Sequence, residues 1–305
     1  MTTELITTRD RRFAQERQRI RRRQSAGLGG RSKVSVVARH VFLIATSALM
    51  LYPLLWMVVS SLRPNDEIFR LPGLWPLSFE VSNYTEGWNA LSPSFGTYLW
   101  NSIVVVAGSI VGNLISCSMA AYAFARLNFH FKRTMFAIML VTIMLPVHIV
   151  IVPQYIMFSQ LGMVNTFWPL ILPKALATDA FFIFLMVQFI RGIPRDLDEA
   201  ARIDGAGHAR IFLQILLPMM TPALATTAIF TFVWVWNDFF GALIYLNNPD
   251  LFTVPLALRQ FMSAQGASNF GGMFAMSVVS LVPVFLAFLF GQRFLIRGIA
   301  TTGIK

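Results

Sequence analysis

The feature that most constrains this chain is the length of its uncharged stretches. Segments 41–62, 87–125, 134–173, 211–237 and 260–292 contain no Asp, Glu, Lys or Arg. A helix crosses a bilayer with about 20 predominantly apolar residues, and each of these segments is long enough. Composition agrees: hydrophobic residues are 56% and charged residues 13%, against about 25% charged in soluble proteins. Too few polar side chains remain to cover a water-facing surface, so much of the surface faces lipid. The single cysteine, Cys117, excludes an intramolecular disulfide, a redox Cys pair and a Cys-rich zinc site.

The stretches divide into six spans and predict an all-α, polytopic membrane protein. The first covers 41–62 and the second about 98–124. The 40-residue run 134–173 is too long for one helix, and Gln160-Leu161-Gly162 splits it into a third span and the start of a fourth. The fourth continues to Ile190 despite Lys174 and Asp179. The fifth runs from Ile211 past Asp238 to Tyr245, and the sixth from about Gly272 to Gln292. Short cytoplasmic loops are enriched in Lys and Arg. With the N-terminus inside, segments 1–40, 125–133, 191–210 and 293–305 hold 21 of the 25 basic residues. Both termini are thus expected in the cytoplasm and the chain in the plasma membrane, with the first span retained rather than cleaved as a signal peptide.

The formal charge is +11, but residues 1–39 alone carry +8. That segment, with Arg17, Arg19, Arg21, Arg22 and Arg23 followed by Gly27, Gly29 and Gly30, reads as a disordered basic cytoplasmic tail touching anionic lipid. No aromatic residues are interleaved with these arginines, which argues against nucleic acid as a partner. Residues 40–305 form the transmembrane domain, with a cytoplasmic loop over 191–212.

That loop is the most informative part of the sequence. Pro194 is followed by Asp196, and Glu199 three residues later completes a capping-box pattern that predicts a helix start. Asp198 and Arg202, spaced i,i+4, are expected to pair on its surface. Ala200 and Ala201 offer a smooth flank, Gly205 and Gly207 permit a reversal, and a second helix begins near His208. On these features alone the loop reads first as a well-capped connector.

Glu199-Ala200-Ala201, three residues, Gly205, nine residues, then Ile215-x-Leu217-Pro218 resembles the EAA signature of ABC importer permeases. Four further stretches resemble the second permease subunit of maltose-type carbohydrate importers: Ser61–Pro64 with Glu67-Ile68-Phe69, Ala121–Leu127, Trp236–Phe239 with Leu246–Pro249, and Arg297–Gly303. The resemblance covers 41–305. It implies the type I importer permease fold, and a coupling helix whose Glu199, Ala200, Ala201, Asp204, Gly205, Ala206 and Gly207 dock on a cytoplasmic ATPase. It also implies a second homologous permease, two ATPase subunits and an extracellular solute-binding protein meeting loops 63–97 and 246–270. ATP and Mg are implied on the ATPase, with no cofactor on this chain.

An ionisable residue inside a span is a functional candidate. On a continuous helix Thr227, Thr231, Trp234, Asp238, Gly241 and Tyr245 share one face, with Asn237 beside it. Hydroxyl-binding Asn and Asp next to aromatic rings suit a sugar path, so Thr231, Trp234, Asn237, Asp238 and Tyr245 are the candidate lining; structural pairing of Asp238 and packing of Trp234 explain the pattern equally. Gly108 and Gly112 read as a close helix contact. Pro146 and Pro153 predict kinks in the third span. Lys174 and Asp179 are poorly spaced to pair within one helix.

The chain has no GxxxxGK[ST] phosphate loop, GxSxG elbow or HExxH helix, so it lacks a catalytic set and an ATPase of its own, and its four histidines have no metal-site spacing. A sugar permease is the expectation. A permease for glycerol phosphate or a polyamine, and a proton-coupled secondary transporter using Asp238 or Asp179, are the alternatives.

Overall fold

The computed structural model describes residues 33–70, 73–263 and 269–302. Residues 1–32 of the predicted basic tail, 71–72 and 264–268 of the two predicted outer loops, and Gly303 of the C-terminal stretch lie outside the described residues. Regular structure among the described residues is helical throughout.

The chain divides into two units, 1–56 and 57–305. The first contains most of α1 (Lys33–Ser60), which starts two turns before the apolar run and so takes in residues 33–39. Its 28 residues reach about 42 Å at 1.5 Å per residue, against a hydrocarbon core of about 30 Å. Phe42, Ile44, Leu49 and Met50 are exposed on it, a surface suited to lipid.

The second unit holds α2 (Ser82–Asn89), α3 (Phe95–Arg126), α4 (Lys132–Thr142), α5 (Val147–Gln160), α6 (Trp168–Ala175) and α7 (Ala180–Arg191). It continues through α8 (Asp196–Ile203), α9 (His208–Met219), α10 (Thr221–Trp236), α11 (Phe239–Tyr245), α12 (Val254–Ser263) and α13 (Phe270–Thr302). The axis is α3, on which α6, α7 and α10 pack; α10 also packs on α13, and α13 on α2. The reason lies in the sequence of α3. Its buried side carries Ser102, Ser109, Asn113 and Ser118, while Ile103, Val111, Ile115 and Met119 face outward. This is polar inside and apolar outside, as packing in lipid favours.

The two glycines of α3 set the spacing. A Cβ on Gly108 would meet Ile171 at 2.9 Å, and one on Gly112 would meet the Cβ and Cα of Ala175 at 2.9 and 3.0 Å. The expected close contact is therefore made with α6.

Among the described residues four helices are long and apolar enough to span, and α9 with α10, bent by 74° at Met220, is long and apolar enough to make a fifth if the pair is one span. Pro218 and Pro222 flank the bend, and α9 contains a π-helical segment, Ile211–Leu216. The predicted third span consists of two shorter helices, α4 and α5, separated where Pro146 caps α5. Proline biases the residue before it away from the helical region, which explains a break there; Pro153 stays inside α5.

The fourth span is interrupted between Ala175 and Ala180, with Ala177 left-handed at φ 57°. This break corrects the spacing argument against Lys174 and Asp179. Lys174 Nζ lies 2.9 Å from both Asp179 oxygens, because the chain between them folds back instead of advancing as a helix.

Replacing Gly112 with Leu should lower stability by about 1–3 kcal/mol through overpacking. The check is thermal unfolding in detergent, with Gly73→Ala, which meets only Trp75 N at 3.9 Å, leaving the midpoint unchanged.

Candidate functional site

At the loop end, α8 begins at Asp196 with Asp198 and Glu199 also in its first turn. Carboxylates there suit the positive end of the helix dipole. The expected capping box does not form: Arg195 before the helix is itself helical, and no side chain caps it. Nor does Asp198 pair with Arg202. It turns inward to Arg126, the last residue of α3, with Nε–Oδ2 at 2.8 Å and side chains 4% and 9% exposed. The same guanidinium donates to the Ile193 carbonyl at 2.8 Å. One buried cation thus fastens the end of α3 to the first turn of α8.

The far end of α8 closes with a Schellman motif. Ala206 N–H donates to the Ala201 carbonyl at 2.9 Å and Gly205 N–H to the Arg202 carbonyl at 3.0 Å. Gly205 has φ +78°, while Gly207 is extended at φ −75°, so the reversal rests on Gly205. The two alanines part company: Ala201, with Ala206, packs on the core of α3, α7 and α9, whereas Ala200 is exposed beside Glu199. Asp204, Gly205 and Gly207 are exposed as well. Ile203 completes the outer face and is 87% exposed. A bare aliphatic side chain between carboxylates, on a helix held rigidly from behind, is a docking surface in form.

Sequence reasoning assigned no role to Arg126 or Tyr122, although both lie in the 121–127 stretch. Tyr122 Oη donates to the His208 carbonyl at 3.3 Å, and its ring is 5.1 Å from that of Phe212. The signal for Arg126 was present. It is the cation that ends a 39-residue uncharged run, and Asp198 is an acid in the next basic loop.

Within the bundle, a cavity of about 380 Å³ is lined by Val105, Leu170, Lys174, Trp234, Val235, Asn237, Asp238 and Thr253. The expected continuous stripe does not exist, because the helix stops at Trp236 and restarts at Phe239. Asn237 Nδ2 donates to the Val233 carbonyl at 2.7 Å, and Asp238 caps α11 by accepting from Gly241 N–H at 2.9 Å. Trp234 remains half exposed, its ring 5.1 Å from that of Phe182. These three candidates meet at the cavity, and Lys174 joins them.

Thr231 and Tyr245 do not line it. Thr231 is buried and accepts from Asn113 Nδ2 at 2.8 Å; Tyr245 is buried against Tyr155 and Phe158. Asn113 also donates to Asp179 Oδ2 at 3.0 Å, so Asp179 is engaged from both sides. Among the described residues no three of His, Cys, Asp and Glu gather as metal ligands.

A multi-span helical bundle with a half-open cavity of mixed polar and apolar lining, and a short helix held outside it, is the architecture of a membrane transport component. The chain belongs to the family described as binding-protein-dependent transport system inner membrane component, which matches residues 112–300. It is 34% identical over 265 residues, 87% of each chain, to the probable ABC transporter permease protein YurM of Bacillus subtilis. It is 33% identical to the diacetylchitobiose uptake system permease protein NgcG of Streptomyces coelicolor, over 83% of this chain and 84% of that one. In structure it resembles a chain of a bacterial ABC transporter that imports the acidic polysaccharide alginate, with a TM-score of 0.76 and 22% identity, covering 87% of this chain and 98% of that chain. The type I importer permease fold is thereby established.

The Arg126–Asp198 pair makes a quantitative prediction. Arg126→Met or Asp198→Leu alone should cost about 3–5 kcal/mol, since each strands a buried charge, while the double variant recovers most of that loss. A double-mutant cycle on unfolding in detergent measures it.

Proposed function

We propose that this chain is one permease subunit of an ATP-driven importer that carries a sugar or oligosaccharide into the cell by alternating access. The observation that carries the proposal is α8, pinned to α3 through the buried Arg126–Asp198 pair while Glu199, Ala200 and Ile203 stand bare. In this reading Glu199–Gly207 is the coupling element and sits on one of two cytoplasmic ATPase subunits. Those partners bind ATP and Mg and do the hydrolysis; this chain does no catalysis and binds no cofactor. A second homologous permease supplies the other half of the path, and an extracellular solute-binding protein meets loops 63–97 and 246–270. Both termini are cytoplasmic, as the distribution of Lys and Arg favours, and the positive charge of residues 1–39 attracts anionic lipid.

ATP drawing the ATPases together would move α8, and α3 would follow through Arg126. Because α6, α7 and α10 pack on α3, the cavity walls would shift with it. Transport then requires ATP and loaded receptor to bind one state more tightly than the other.

Carbohydrate is favoured by the cavity chemistry. Trp234 presents a ring face to sugar C–H groups, and Asn237 and Asp238 hydrogen-bond hydroxyls. The cation there, Lys174, is already neutralised by Asp179, which disfavours glycerol phosphate. The relative named for diacetylchitobiose uptake points the same way. Of the two carboxylates a proton-coupled transporter would use, Asp179 is held by Lys174 and Asn113 and Asp238 caps α11.

Gly205→Pro forces φ to about −65° and removes the N–H of the Schellman turn; it should abolish uptake by the assembled transporter in proteoliposomes while membrane insertion persists. Glu199→Lys should do the same. Normal uptake by either variant would remove the coupling role from α8. Trp234→Ala should cut uptake about tenfold, one lost contact of about 1.4 kcal/mol, with ATPase attachment intact; unchanged kinetics would take Trp234 out of the path.

A further inference from the structure

A second cavity, of about 440 Å³, opens where α3, α4 and α7 end, and no step of transport uses it. Arg126, Lys132, Arg191 and Arg195 line it, and no carboxylate does. Arg126 is committed to Asp198, and the other ion pair among the described residues, Lys174–Asp179, is elsewhere. Among the described residues the remaining three cations have only neutral partners there. Lys132 Nζ donates to the Leu127 carbonyl at 2.6 Å, Arg195 reaches the Ala125 carbonyl at 3.5 Å, and the Arg191 guanidinium lies 5.3 Å from the centre of the Phe136 ring. An ammonium has three donors and a guanidinium five, so most donors stay unused. Burial, then the charges of Arg195 and Arg191, push the Lys132 ammonium below its ordinary range. The cluster repels itself and is relieved by an anion.

The surroundings indicate which anion. The cavity sits at the ends of two membrane-spanning segments, where hydrocarbon gives way to headgroups. A neighbouring cavity shares Lys132 and is lined by Phe129 and Phe131, and α4 continues from there with Met135, Ile138 and Val141 exposed. Basic donors beside an apolar strip match a phosphodiester attached to acyl chains. A free phosphate would use only the basic half.

We propose that this pocket binds the phosphate of an anionic phospholipid, held by Lys132, Arg191 and Arg195, with the acyl chains along α4. The site depends on where the helices end and not on which face of the membrane they reach. It does not depend on the transported substrate, and it adjoins α8 through Arg195, the residue before that helix.

The test uses the full chain reconstituted in bilayers of equal phosphatidylglycerol and phosphatidylcholine, with retained lipid counted by native mass spectrometry. Phosphatidylglycerol should be retained up to about a hundredfold over phosphatidylcholine, given roughly fivefold for each of the three basic residues near an anionic surface. Lys132→Gln/Arg191→Gln should erase most of that preference and Lys132→Arg preserve it. The single Lys132→Gln variant, which should lose part of the preference, serves if the double variant does not fold. No preference in the unaltered chain, or full preference in the Gln variants, overturns the proposal. Millimolar inorganic phosphate should leave the lipid in place; if it removes the preference, the site belongs to a free anion and the lipid assignment fails.

Discussion

In hydrocarbon a polar group released from a helix must find its partner inside the protein, since no water is available to it. The bundle is organised around that requirement. The break between α6 and α7 frees backbone carbonyls and introduces Asp179, and α3 answers it. Ser116 Oγ donates to the Lys174 carbonyl at 2.9 Å, Thr178 Oγ1 to the Pro173 carbonyl at 2.9 Å, and Asn113 bridges Asp179 and Thr231. One amide side chain thus ties α3 to the α6–α7 break and to the interior of α10. Losing it would leave a carboxylate and a threonine hydroxyl short of a donor in low dielectric, a larger penalty than the net worth of any one hydrogen bond.

The same rule, applied at the water-facing end, gives the loop its stiffness. Asp198 and Arg126 are both nearly enclosed, and separating them would expose each to an environment without compensation. Under the proposed mechanism that cost lets α8 act as a lever rather than a flexible tether. Were α8 only a flexible surface loop, a displacement at Glu199 or Ile203 would be absorbed there. Transmitted through a buried pair to the end of a 32-residue helix, it reaches the centre of the bundle.

Much of this was legible in the sequence. Uncharged length located four spans and the bent pair α9–α10, because hydrophobic thickness leaves few alternatives, but the expected third span is two short helices, α4 and α5. Gly205 was recognisable as the turn residue, and Gly108 and Gly112 as a contact. What sequence periodicity missed were the interruptions. A face drawn through Thr227, Thr231, Trp234, Asp238 and Tyr245 presumes a continuous helix, yet Asn237 and Asp238 cap two separate ones. Nothing local forbids a helix at Ala175–Ala180 either; it breaks because α3 supplies the partners that make the break affordable, and α3 lies some 60 residues earlier. Arg126 escaped for a related reason. Its acid is in a different loop, so i,i+4 reasoning assigned Asp198 to Arg202.

The interruptions also fix what the cavity offers. Had α10 and α11 been one helix, Asp238 would have presented an uncommitted charge. As a cap, it gives one oxygen to Gly241 N–H and keeps acceptor capacity for a hydroxyl. Lys174 likewise is anchored by Asp179 but is still 24% exposed. A cavity furnished with a neutralised ion pair, a partly used carboxylate, an amide and an indole face has many hydrogen-bonding groups and little net charge. A hydroxyl-rich neutral solute matches that balance. Under the proposed function a strongly charged one would have to displace partners the breaks require, so the interactions that permit discontinuous helices in lipid would also restrict what passes between them.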